Sequence, residues 1–95
     1  MVIGVGKITL RIPHNSSLKG KRMMVKSITD RVKNRFNVSI AEVDDNDLWQ
    51  LIQLGMSYIG NDRRYVNCRL DKVLNFVENL RMAEVIDREI EIINV

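Results

Sequence analysis

Apolar and polar residues alternate over positions 7–12, where Ile8, Leu10 and Ile12 interleave with Lys7, Thr9 and Arg11. A period of two predicts a strand with one buried face, and Pro13 ends it by removing a ladder donor. The period then changes. After the polar stretch HNSS, Leu18, Val25, Ile28, Val32 and Phe36 recur at helical spacing on one stripe. This predicts an amphipathic helix that faces a core, capped by Ser16 or Ser17. Lys26 and Lys33 flank the stripe on one side and Arg31 and Arg35 on the other, where long stems cover apolar edges while the charges stay wet.

Asn37 breaks this helix, and a second strand is expected over about 38–43. The run Asp44-Asp45-Asn46-Asp47 reads as a hairpin connection, because these residues tolerate bent backbone. A third strand over 48–59 is apolar on both faces, as strands near the middle of a sheet are. Leu48, Ile52, Leu54, Met56 and Tyr58 point one way; Trp49, Leu51 and Ile59 point the other. Asp62 is placed to cap a second helix whose stripe is Val66, Leu70, Val73, Leu74, Val77 and Leu80, with Phe76 on its border. A final strand over 83–93 sets Ile86, Ile90 and Ile92 on one side, and Arg88 interrupts that face, which predicts a bulge or register break.

The order is β-α-β-β-α-β. Two helices with one apolar stripe each need a single sheet face to cover, and right-handed crossovers then give a ferredoxin-like α+β fold. Strands one and three should be central, strands two and four at the edges, and both helices on one face of a four-stranded antiparallel sheet. The other face is left open.

Ninety-five residues, 45% of them hydrophobic, are expected to make a single domain over 1–95 with a real core. One cysteine rules out an internal disulfide framework and fits a reducing compartment. The opening MVIGVGKITL builds neither a signal peptide nor a membrane span, so a cytoplasmic location is expected. The net charge of +3 is unevenly spread. Between Leu18 and Phe36, Lys19, Lys21, Arg22, Lys26, Arg31, Lys33 and Arg35 stand against Asp30 alone, whereas residues 42–47 and 84–91 lean acidic. Such polarity bears on encounter and partners rather than on fold.

Candidate chemistry is sparse. Gly4-Val5-Gly6-Lys7 has neither the preceding strand nor the four-residue spacing of a phosphate loop, and its glycines are read as allowing a bulge or the close approach of a neighbouring strand. Asp44, Asp45 and Asp47 lack the glycine and distant glutamate of a calcium loop and read as a solvated tip. His14 is the only histidine, so no triad or histidine metal site forms within one chain. Cys68 lies opposite the second helix's apolar stripe and has no basic partner beyond Arg64 and Lys72. No cofactor, metal or small-molecule substrate is indicated, and the protein is not expected to be an enzyme.

Three segments carry a resemblance. SLKGKR at 17–22, RFNVSIAEVD at 35–44 and DLWQLIQLG at 47–55 resemble the YlxP-like family of small bacterial proteins, a domain of unknown function. Family members often carry an acidic residue where this chain has Gly20, which would complete a capping box with Ser17. The resemblance implies a ferredoxin-like fold, a bacterial cytoplasmic origin and no established catalytic residues. Members are commonly encoded near translation factors and a ribosome-maturation factor, which implies an RNA- or ribosome-linked role by association.

Two surfaces follow as candidates. Lys19, Lys21, Arg22, Lys26 and Arg35 on the first helix are expected to contact phosphates, most simply those of ribosomal RNA. Ile3, Val5, Trp49, Leu51 and Ile59 are expected to form an uncovered apolar patch on the open sheet face, fit for a homodimer or a protein partner. The third strand lacks the aromatic pattern by which sheet-face RNA readers stack bases.

Overall fold

The computed structural model describes residues 1–45 and 47–95. Six elements follow one another: β1 (Val2–Arg11), α1 (Leu18–Arg35), β2 (Ser39–Asp44), β3 (Leu51–Gly60), α2 (Arg63–Asn79) and β4 (Glu84–Asn94). The strands form one sheet in the order β2-β3-β1-β4, with every neighbouring pair antiparallel. This is the expected ferredoxin-like arrangement, with β1 and β3 central. Among the described residues, no helix is long and apolar enough to cross a membrane.

The strand alternation decides where the core sits. Ile8 and Leu10 of β1, Ile52, Leu54 and Met56 of β3 and Ile40 of β2 are buried on one sheet face. Against them pack Ile28 and Val32 of α1 and Val66, Leu70, Val73, Leu74 and Val77 of α2. Both helices begin at the anticipated caps. The Ser17 hydroxyl accepts from the Gly20 N–H at 3.0 Å, and the Asp62 carboxylate accepts from the Tyr65 N–H at 2.9 Å, each satisfying one orphan donor of a first turn.

Gly4 has a packing role that differs from the sequence expectation. A methyl at Gly4 would lie 2.5 Å from side-chain carbons of both Leu70 and Val66. The close neighbour is therefore α2 rather than a strand, and the glycine lets that helix settle onto β1.

Two expectations need correction. β3 begins at Leu51 rather than at residue 48, so Trp49 and Leu48 belong to the approach to the strand and stay half exposed. The cause is a tether: the Asn15 amide donates to the Trp49 carbonyl at 2.5 Å and the Gln50 amide donates back to the Asn15 carbonyl at 3.2 Å. These bonds hold 49–50 against the β1–α1 loop. In β4, the register with β1 jumps from Thr9↔Asp87 to Leu10↔Val85. Ile86 is thus the extra residue of a bulge and is exposed, while Val85, Ile90 and Ile92 turn toward the helices. Asn46 of the acidic turn lies outside the described residues. Asp45 beside it has a left-handed φ of 55°, a conformation aspartate tolerates better than most side chains.

Candidate nucleic-acid interface

Charge divides by layer. α1 and α2 together carry eleven Lys and Arg against three Asp and Glu, a balance of +8, while the four strands carry three against six, a balance of −3. Because the helices cover one face of the sheet, the molecule presents a cationic roof and an acid-rich floor.

Within the roof, Lys21 is a correction. It is 1% exposed, with its ammonium 3.0 Å from the Glu42 carboxylate of β2 and donating to the Asp45 carbonyl at 2.5 Å. Buried between α1 and the edge strand, it has no access to a phosphate outside. The signal was present in the helix period, since residue 21 lies on the same stripe as Leu18, Val25 and Ile28. Lys19, Arg22, Lys26 and Arg35 are exposed. Lys26 pairs with Asp30 one turn on at 2.9 Å, which costs a phosphate little because exposed pairs of this kind are weak.

Arg35 does not join the others. Thirteen residues separate it from Arg22, about 20 Å along a helix. Its guanidinium instead sits 5.2 Å from the centre of the Phe76 ring on α2, and Arg69 of α2 returns the contact at 5.7 Å from the Phe36 ring. The two rings meet edge to face at 5.4 Å. Each helix therefore lays an arginine on the other's phenylalanine, at the mouth of an open groove of about 490 Å³ that Lys72, Asn75 and Asn79 also line. Among the described residues, no carboxylate pairs with Arg35, Arg69 or Lys72. The α2 acids are drawn elsewhere, because Arg88 of β4 holds Asp71 at 3.0 Å and Glu78 at 3.7 Å.

Sequence reasoning missed Arg69 and Lys72 as members of a site. Their spacing from the Val66–Leu70–Val73 stripe puts them on one flank of α2, but only the packing of that flank against the end of α1 joins them to Arg35.

The open sheet face does not hold one continuous apolar patch. Register sets Ile3 beside Ile59 and Ile93 at one end, with Val5 next along β1. Ile59, Val5 and Ile93 are 62%, 38% and 40% exposed. Leu51 lies beside Arg11 at the other end, eight residues and about 27 Å away along the strand, with Trp49 beyond the strand. Between the two ends stand Lys7, Thr9, Gln53, Asp87 and Glu89. Ile93 was not anticipated there. Among the described residues, no group of three or more His, Cys, Asp or Glu side chains could hold a metal ion.

A four-stranded sheet roofed on one side by two cation-rich helices and open on the other defines a ferredoxin-like α+β domain with its charge segregated by layer. The chain belongs to the DUF503 family of proteins of unknown function, whose sequence profile matches residues 3–90. It is 36% identical over 83 residues to an uncharacterized protein, YlxP, of Bacillus subtilis (strain 168), an alignment spanning 87% of this chain and 90% of the relative. Among solved structures, a de novo designed protein, Foldit4, superposes with a TM-score of 0.52 at 13% identity, covering 99% of this chain and 97% of the other. A candidate antibiotic biosynthesis monooxygenase of Deinococcus radiodurans superposes with a TM-score of 0.51 at 14% identity, covering 100% and 92%. At such identities the likeness concerns the fold alone.

Proposed function

We propose that the helical layer is an RNA-binding surface and that the protein is a non-enzymatic module connected with translation or ribosome maturation. The observation that carries this reading is the +8 balance of α1 and α2 set against the −3 of the strands. A polyanion approaching such a molecule is steered to the helices and repelled by the sheet, and lysine and arginine contacts to phosphate supply most sequence-independent affinity. Lys19, Arg22 and Lys26 supply one group of contacts and Arg35 another.

A salt titration with ribosomal RNA tests it. Affinity should fall steeply with ionic strength, and each phosphate-contacting lysine or arginine removed from the roof should flatten the salt slope by about 1. Affinity that ignores salt, or survives charge reversal at Lys19, Arg22 and Lys26 together with Arg35, contradicts the reading.

A second reading makes the open sheet face a protein-docking surface. The exposed row of Val5, Ile59 and Ile93 favours it. That face carries Asp44, Glu84, Asp87, Glu89 and Glu91 against Lys7 and Arg11, so two copies face to face would oppose like charges and a basic partner fits better. Sedimentation at micromolar concentration separates the versions, because a stable dimer at low salt would favour the homodimer.

A further inference from the structure

We infer that the groove between the end of α1 and the middle of α2 clamps single-stranded RNA, with Arg35, Arg69 and Lys72 around one phosphodiester and an unstacked base lying on a guanidinium plane. This rests on the reading of the helical layer as an RNA surface and names the place and the form of RNA it takes.

Three observations converge on it. First, three cations from two helices meet with no carboxylate paired to them among the described residues, while Arg88 binds the nearby acids on the other flank of α2. Cations gathered without their counter-charge repel one another, and an incoming anion relieves that repulsion.

Second, the Arg35 guanidinium lies over the Phe76 ring at 5.2 Å and that of Arg69 over the Phe36 ring at 5.7 Å, so each is held in a cation–π contact. A guanidinium held against a ring still has N–H donors to offer a phosphate and a planar face that suits a nucleobase. The ring pair beneath is fixed by its edge-to-face contact, so little side-chain freedom is lost on binding. The Asn79 amide and the NH2 group of Asn75, whose oxygen accepts from Arg88, add hydrogen-bonding groups at the groove for base edges or sugar hydroxyls.

Third, the shape selects the strand number. The groove is open and holds about 490 Å³. A nucleotide of a flexible strand can enter it. A duplex presents stacked bases and a wide cylinder, and would rest on the helix ridges.

Fluorescence anisotropy tests this with a labelled ten-nucleotide oligouridine, a duplex RNA of equal length, and uridine monophosphate and inorganic phosphate as competitors. The oligouridine should bind more tightly than the duplex. Arg69→Gln with Lys72→Gln should weaken it about tenfold at fixed salt, as expected for losing one stacked base and its phosphate contact. Arg69→Lys should weaken the oligouridine while leaving the salt slope unchanged, since it keeps the charge and loses the plane. Circular dichroism confirms that each variant is folded. If the groove variants bind like wild type while Lys19→Gln with Arg22→Gln loses affinity, the groove assignment is overturned and the RNA reading of the helical layer stands. Equal affinity for the duplex, or competition by uridine monophosphate or phosphate as effective as the oligouridine, also overturns it. A wild-type protein that binds no RNA at all overturns both.

Discussion

The Lys21 ammonium lies 3.0 Å from Oε2 of Glu42, and the lysine is 1% exposed. One buried ion pair thus ties α1 to the edge strand β2, and the same ammonium reaches the Asp45 carbonyl where β2 turns away. Two of the three segments that carry the family resemblance, SLKGKR and RFNVSIAEVD, are joined through this contact.

Removing Glu42 leaves the buried Lys21 ammonium without its carboxylate, and removing Lys21 takes that ammonium from a largely buried Glu42. Lys21→Met alone or Glu42→Leu alone should destabilise by about 3–5 kcal/mol, whereas the double substitution should recover most of that loss. Urea unfolding of the three variants checks it, and additive losses in the double variant would contradict the pairing.

The fit of α2 onto β1 depends on an absent side chain. Gly4→Val should destabilise by about 1–3 kcal/mol, because the new carbons overlap Leu70 and Val66. Shortening Leu70 to alanine in the same chain should relieve part of the overlap, so the two effects should not add in denaturant unfolding.

Arg88 binds Asp71, Glu78 and the Asn75 amide from across the sheet edge. These groups are partly solvated, so Arg88→Ala should cost only about 1 kcal/mol of stability. Its larger effect should be on RNA affinity, because Asp71 and Glu78 regain their field on α2. Restored affinity in the Arg88→Ala, Asp71→Asn, Glu78→Gln triple variant, measured by anisotropy, would assign the loss to those carboxylates.

Asn15 donates to both the Ser17 and the Trp49 carbonyls, at 2.7 and 2.5 Å. Asn15→Ala should cost about 1–2 kcal/mol and release the 48–50 segment. Increased acrylamide quenching of Trp49 fluorescence in the native state is the expected signature. Gly20 is part of this arrangement, since a methyl there would lie 2.2 Å from the Asn15 side-chain oxygen. The space beside Gly20 holds the Asn15 side chain.

Element order, caps and core were legible in the sequence because each rests on local periodicity. Ile8, Leu10, Val66 and Leu70 repeat at the period of their own element, and Ser17 and Asp62 sit where first turns need acceptors. What escaped depends on contacts distant in sequence. Lys21 was placed with its charged neighbours rather than with the apolar stripe it shares, since nothing local announces Glu42 as its partner. The Ile86 bulge appears only in the register of β4 against β1, and the shorter β3 only in the tether from Asn15 to Trp49. The groove required two helices to meet, so Arg35 could be named from the sequence but Arg69 and Lys72 could not be joined to it.

The central claim is that anionic RNA lodges on the helices and leaves the sheet bare. A two-dimensional amide spectrum of the isotope-labelled protein, titrated with the ten-nucleotide oligouridine, reads this out residue by residue. The account predicts shifts concentrated at Lys19, Arg22, Arg35, Phe36, Arg69 and Lys72, with Val5, Ile59, Glu89 and Glu91 unmoved. Shifts gathered on the open-face residues of β1, β3 and β4, with the helices silent, would contradict it.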